Sequence, residues 1–152
     1  MKCYNLFLLF VALLFVVGCS NKVPLSGTVT FSDDGAPLTR GVVFFQSDTL
    51  LAQGAIQPNG RYTVGTDRMT DGLPRGTYRI YLVDTEIVEI IQTATGQIDP
   101  ITGNNVDYRF TDERRTPVID LRYNRADTSG LTFTVDGRTR TFDIQVERIG
   151  GR

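Results

Sequence analysis

The chain has 152 residues, of which 41% are hydrophobic and 22% are charged, and these proportions are typical of a globular domain. Its 16 basic and 17 acidic side chains nearly cancel, so the charge balance argues against a nucleic-acid binder. There is no histidine, and the only two cysteines are Cys3 and Cys19, which excludes histidine-dependent catalytic triads, Cys–His nucleophile pairs and zinc sites built from His or Cys.

The first residues of the chain have the pattern of a secretory signal. One lysine precedes an apolar run of twelve residues, Leu6 to Val17, and Gly18 and Cys19 follow it. About 20 apolar residues are needed to span a bilayer, so this run is too short for a stable transmembrane helix and suits the core of a signal peptide. Residues 1–18 are therefore predicted to be a signal peptide that is removed.

The end of this segment, Val16-Val17-Gly18-Cys19, resembles the lipobox of bacterial lipoproteins. The resemblance implies cleavage before Cys19 and attachment of a diacylglycerol to its thiol. Residues 19–22 would then be a lipidated N-terminus with a short tether, on the periplasmic face or outer membrane of a bacterial cell envelope. Ser20 is compatible with outer-membrane sorting, and the alternatives to a lipoprotein are simple secretion and an uncleaved anchor.

The chain after residue 22 is predicted to form short strands. Apolar residues alternate with polar ones in the segments 23–31, 78–83, 131–135 and 142–146. A period of two places one face of each strand on a core. With turn residues about every ten positions, the pattern predicts an all-β domain over residues 23–149, an antiparallel sandwich of about seven to eight strands with an immunoglobulin-like architecture.

Three further segments carry more specific expectations. Residues 42–45 form an apolar run suited to a central strand, and the β-branched content of residues 87–91 favours strand over helix. Asn59-Gly60 separates two strand-like runs, which predicts a hairpin. Asp136-Gly137 is predicted to turn the chain before residues 142–146.

Residues 92–117 show little patterning and are expected to be a long irregular segment, either functional or mobile. Its aromatic rings and guanidinium groups suit a sugar, an anionic polymer or a protein partner. The residues considered as contacts are Tyr108, Arg109, Phe110, Arg114 and Arg115. In the alternative interpretation, Tyr108 and Phe110 cover a sheet edge while the arginines face water.

Several blocks of the chain resemble the carboxypeptidase regulatory-like domain. They are Val23–Phe31, Asp34–Leu38, Gly41–Phe45, Asn59–Tyr62 and Gly72–Ile80, and Gly76-Thr77-Tyr78 after a Pro-containing turn is the most specific of them. Residues 121–131 are similar to those of small planctomycete-type lipoproteins that carry this domain. The resemblance implies a transthyretin-like, or prealbumin-like, sandwich without catalytic activity. One departure is Asp120, which stands where the family usually has a proline.

Catalysis is not expected from this sequence. The carboxylates that could act in pairs lie in turn-like contexts, where aspartate usually caps the turn. They are Asp33, Asp34, Asp67, Asp71, Asp112 and Glu113. No Asp-x-Asp-x-Asp-Gly calcium loop is present, and no metal or cofactor is predicted.

Two functions remain open. The first is a structural or interaction domain of the cell envelope, held at the membrane through the lipid on Cys19 and contacting an envelope protein or polysaccharide. The second is a surface module that binds carbohydrate or polymer through residues 92–117. In a binder, Tyr108 and Phe110 are expected to be exposed and clustered.

Overall fold

A computed structural model describes residues 22–68, 70–104 and 108–150. The predicted signal peptide and Cys19 lie outside the described residues. The strands in chain order are β1 (Lys22–Val23), β2 (Ser26–Phe31), β3 (Val42–Gln46), β4 (Leu51–Ala55), β5 (Arg61–Thr63), β6 (Leu73–Pro74), β7 (Gly76–Val83), β8 (Ile87–Ala94), β9 (Tyr108–Thr116), β10 (Leu131–Val135) and β11 (Ile144–Val146). A short 3-10 helix spans Leu121–Asn124. Within the described ranges, no helix has the length and apolar composition of a membrane span.

Seven of these strands form two sheets that enclose one core. A four-stranded sheet has the order β10-β7-β3-β4, and a three-stranded sheet has the order β11-β2-β5. Side chains from both sheets form a single hydrophobic cluster. The predicted all-β sandwich is confirmed.

The alternating segments bury the faces that their period predicts. Val29 and Phe31 of β2 are buried, as are Ile80 and Leu82 of β7. The largest fully buried side chains are Tyr62, Phe45, Leu25, Leu38, Leu73, Ile80, Leu82, Ile119, Ile144, Val29, Val43 and Val64. Strand β3 lies between β4 and β7, which confirms that residues 42–45 belong to a central strand.

The Asn59-Gly60 turn forms, and the segments on either side of it are antiparallel neighbours, as predicted. The amide of Gln57 donates to the carbonyl of Arg61 over 2.8 Å, and Gln53 and Gly65 exchange two hydrogen bonds of 3.1 and 3.0 Å. The continuous pairing of the two strands nevertheless lies elsewhere, because β4 pairs with β3 while β5 pairs with β2. At the turn itself, the amide of Val29 in β2 donates to the carbonyl of Gly60 over 2.9 Å. This bond draws the turn to the second sheet, so the turn connects the two layers.

The turn after β10 also carries the chain from one sheet to the other. Residues 131–135 pair with β7, whereas residues 144–146 pair with β2. Strand β11 runs parallel to β2, with Ile144 opposite Val29, and is the one parallel strand pair in the described sheets. The sandwich is otherwise antiparallel, as predicted.

Asp120 has a specific structural role at the start of the 3-10 helix. Its carboxylate accepts a hydrogen bond from the amide of Arg122 over 2.9 Å, and its own amide donates to the carbonyl of Glu147 over 2.9 Å. A proline has neither this side chain nor an amide hydrogen. Asp120 therefore makes two hydrogen bonds that a proline at this position could not make.

Candidate functional site

Strands β8 and β9 form a separate two-stranded antiparallel sheet, which we call the ribbon (Ile87–Ala94 and Tyr108–Thr116). It is continuous from Ile87, opposite Thr116, to Ala94, opposite Tyr108, with an irregularity after Ile91. The prediction of an irregular segment at 92–117 is therefore wrong for residues 92–94 and 108–116. Residues 112–116 are all exposed, so this part of β9 has no buried face to give the sequence a period of two.

The base of the ribbon is fixed to the sandwich on both sides. Before β8, the side chain of Thr85 is buried, and the guanidinium of Arg40 donates to the carbonyl of Glu86 over 2.8 Å. After β9, Val118 packs against the core and Ile119 is buried within it. The ribbon therefore extends from a firm base, although its own strands pair only with each other among the described residues.

The five residues predicted as contacts all lie on β9. In register, Tyr108, Arg109, Phe110, Arg114 and Arg115 lie opposite Ala94, Thr93, Gln92, Glu89 and Val88, respectively. The side chains of Arg109, Arg114 and Arg115 are exposed. Those of Tyr108 and Phe110 are outside the described part of the structure, so their clustering stays a prediction.

The charged side chains of the ribbon are arranged in exposed ion pairs. The guanidinium of Arg115 lies 2.6 Å from the carboxylate of Glu113 and 3.8 Å from that of Glu86. The guanidinium of Arg114 lies 3.9 Å from the carboxylate of Glu89 on the neighbouring strand. Exposed pairs of this kind contribute little to stability, so these charges remain available for contacts outside the chain.

The ribbon also exposes apolar side chains that the sequence analysis did not single out. Ile87, Val88 and Ile90 are 48%, 43% and 61% exposed, and Ile101 between the strands is 92% exposed. The sequence does contain a signal for this exposed apolar surface. Residues 87–91 include only one charged residue, whereas residues 112–116, which pair with them in β9, are mostly charged. A two-stranded ribbon cannot bury such a segment by itself.

A second polar cluster lies at the first described residue. The ammonium nitrogen of Lys22 lies 2.5 Å from the hydroxyl of Thr66, 2.6 Å from the carboxylate of Asp67 and 2.7 Å from that of Asp71. The hydrogen bond with Asp67, followed by that with Asp71, raises the pKa of Lys22. The cluster fixes β1 against the segment that precedes β6.

The carboxyl group of Asp71 should give this cluster a pH dependence. Its hydrogen bonds from Lys22 and from the amide of Thr66 hold its pKa far below the ordinary value. A lowered pKa stabilises the fold above the unfolded-state pKa of about 4, and this contribution disappears as the pH falls through the folded-state value. We expect Asp71→Asn to lower the melting temperature at pH 7, and the difference from wild type to shrink steadily below about pH 4.

Thermal unfolding followed by circular dichroism between about pH 2 and pH 7 measures this difference. Asp67→Asn is the control, because Asp67 contacts the same ammonium but its side chain is 84% exposed, and its effect should be smaller. Melting curves of Asp71→Asn and wild type that stay equally far apart at every pH would contradict the expectation.

The carboxylates considered for catalysis act mainly as caps and ion-pair partners. The carboxylate of Asp34 accepts from the amide of Ala36 over 2.9 Å and lies 2.7 Å from the guanidinium of Arg148, which also contacts Asp33. The Ala36 hydrogen bond is the main reason that the pKa of Asp34 is lowered. A general acid needs a raised pKa, so Asp34 and Asp71 are suited to remain ionised. The predicted role as turn caps is confirmed for Asp34 and Asp71. The predicted turn context is wrong for Asp112 and Glu113, which lie within β9.

No protein-family model and no curated protein matches this chain. Among solved structures, it is similar to the major pilin subunit BcpA of Bacillus cereus, with 10% identity and a TM-score of 0.41, over 84% of this chain and 30% of the pilin. It is also similar to a 9R-lipoxygenase from Cyanothece, with 14% identity and a TM-score of 0.31, over 82% of this chain and 16% of the lipoxygenase. The chain thus spans less than a third of either protein.

Proposed function

We propose that this protein is a lipoprotein of the bacterial cell envelope, anchored through a lipid on Cys19, whose β-sandwich is a non-catalytic structural or interaction domain. The observation that carries the proposal is the position of Cys19. It follows the apolar run and Gly18 directly, in the sequence Val16-Val17-Gly18-Cys19, and stands three residues before β1 begins at Lys22. A lipobox at the end of a signal of suitable length is the arrangement that lipoprotein processing requires.

The contacts of Lys22 in β1 are suited to a lipid anchor that is attached only three residues earlier in the chain. Three residues span at most about 11 Å when extended, so a lipid on Cys19 would hold Lys22 near the membrane surface. The ion pairs of Lys22 with Asp67 and Asp71 would then resist the pull of the anchor on β1. Because the hydrogen bond from Lys22 lowers the pKa of Asp71, that carboxylate is ionised at neutral pH and keeps this contact formed.

We also propose that the sandwich is a carboxypeptidase regulatory-like domain. The sequence blocks that resemble this family coincide with β2, β3, β5 and β7, the strands that form the centre of both sheets and one edge. In that family the domain accompanies other functions and has no catalytic activity of its own. The assignment therefore agrees with a role in anchoring and interaction.

The experiment is intact mass spectrometry of the protein recovered from the membrane fraction of a bacterium that processes lipoproteins. We expect a mature N-terminus at Cys19 that carries the mass of a diacylglycerol, with or without an additional acyl chain. Cys19→Ser should lose this mass and leave the membrane fraction. Cys3→Ser is the matched control and should retain the mass, because Cys3 belongs to the segment that is removed. A wild-type protein without acyl mass would refute the anchor.

A further inference from the structure

The outer edge of β9 is a free strand edge nine residues long. Within the described residues, β9 is hydrogen-bonded to β8 and to no other strand. A free edge presents unpaired amide and carbonyl groups that can accept another strand. A two-stranded sheet is marginally stable in water, whereas three or more strands with a hydrophobic face can be stable. The ribbon is thus built to receive at least one further strand.

We propose that β9 pairs in antiparallel orientation with β9 of a second copy of this chain, forming a four-stranded sheet with the order β8-β9-β9-β8. The proposal goes beyond the anchored domain proposed above and does not depend on the lipid. It rests on the order of charges along β9.

The centre of β9 has a charge order that is complementary to its own reverse. Asp112 and Glu113 are followed directly by Arg114 and Arg115, with a threonine on either side of these four residues. An antiparallel copy presents the two guanidinium groups first and the two carboxylates second. Opposite charges on facing residues of two strands stabilise the pair, and like charges destabilise it. A parallel copy in register would place like charges opposite each other.

Two-fold symmetry limits the pairing to a small set of registers. Hydrogen-bonded and non-hydrogen-bonded pairs alternate in an antiparallel sheet. Two identical strands can therefore be related by a two-fold axis only where a residue faces the same residue of the partner, and we describe that residue as lying on the axis. With Glu113 on the axis, Asp112 lies opposite the partner's Arg114. With Arg114 on the axis, Glu113 lies opposite the partner's Arg115. Both registers form two symmetry-related pairs of carboxylate and guanidinium, with Cβ atoms about 5 Å apart. Each register also places one like-charge pair on the axis, Glu113 or Arg114 opposite its own copy, so the two attractive pairs outnumber one repulsive pair.

The β8 edge of the ribbon offers no comparable complementarity. Strand β8 contains one charged residue, Glu89, which already lies beside Arg114 of β9. A second β8 would bring apolar side chains together without selecting an orientation or a register. The charges therefore favour the β9 edge and a second copy of the same chain as its occupant.

A pair of charge-reversal variants tests this arrangement. The first is Asp112→Arg with Glu113→Arg, which makes the central run entirely basic, and the second is Arg114→Glu with Arg115→Glu, which makes it entirely acidic. All four positions are exposed, so neither variant disturbs the core. Sedimentation equilibrium of the full-length protein in density-matched detergent measures the dimerisation of wild type, of each variant alone and of their equimolar mixture.

We expect the wild-type protein to dimerise, each variant alone to dimerise at least about tenfold more weakly, and the mixture to regain the wild-type level. Arg138→Glu with Arg140→Glu is the matched control, because it changes the net charge as much as the acidic variant but lies in the turn after β10. It should dimerise like wild type. A monomeric wild type, a variant that dimerises like wild type, or a mixture that stays monomeric would each overturn the proposal.

Discussion

Replacement of Gly27 by alanine is expected to destabilise the domain by about 3 kcal/mol or more, because the new methyl group has no space. A Cβ at Gly27 would lie 1.8 Å from the carbonyl oxygen of Phe142 and 2.7 Å from its carbonyl carbon. That carbonyl accepts the hydroxyl of Tyr62 over 2.6 Å, and the amide of Phe142 donates to the carbonyl of Ser26 over 2.9 Å. The backbone at Phe142 cannot withdraw without breaking these bonds.

Urea unfolding of Gly27→Ala and wild type measures the loss of free energy of unfolding. Gly35→Ala is the matched control, because it adds the same methyl group in a turn where nothing lies within 4 Å of the new Cβ. Its cost comes from the positive φ of +71° and should be about 1 kcal/mol. If Gly27→Ala cost no more than Gly35→Ala, the close approach of residue 142 to β2 would be wrong.

Gly27 shows which structural features the alternation of apolar and polar residues can predict and which it cannot. The period of two correctly predicts that Gly27 lies on the inward face of β2, between Leu25 and Val29. It cannot predict that the position excludes a side chain, because the obstacle is a carbonyl group at the far end of the chain. Period-two alternation reports which face of a strand is buried, whereas the neighbouring strand depends on tertiary packing.

The same limit applies to the strand pairing. Asn59-Gly60 forms a turn between antiparallel neighbours, as its local chemistry predicts, but local chemistry does not show that β5 has its continuous pairing with β2 in the other sheet. Residues 87–91 were correctly predicted to favour strand and lie in β8, whereas β9 was missed for a different reason. Residues 112–116 are exposed on both faces of β9, so hydrophobic periodicity gives no strand signal there, and pairing with β8 is a contact between distant segments.

The Lys22 cluster and the base of the ribbon lie at opposite ends of β7, so they would lie at different distances from a membrane anchor on Cys19. Strand β1 pairs with β6 directly before β7 begins, and the ribbon begins after β7 ends. The eight residues of β7 span roughly 26 Å. An anchor on Cys19 would therefore hold the Lys22 end near the membrane and place the base of the ribbon farther from it, where the β9 edge could meet a second copy.

Replacement of Phe45 by alanine should be more damaging than any single surface change, with an expected cost of about 3–5 kcal/mol. Phe45 is fully buried on β3. Its ring centroid lies 6.2 Å from that of Tyr62, 6.5 Å from that of Tyr78 and 6.4 Å from that of Phe142. Because these rings come from both sheets, loss of Phe45 leaves a cavity between the layers that neither sheet can close alone.

The preceding residue of the same strand provides the matched control. Phe44 is half-buried on the opposite face of β3, where its ring stacks on that of Tyr81 at 5.1 Å. Phe44→Ala should cost only about 1 kcal/mol, since the site remains partly open to water and mainly the stacking is lost. Urea unfolding of both variants compares the two faces directly. The reverse order of costs would mean that β3 is shifted by one residue, because such a shift moves every side chain of a strand to the other face.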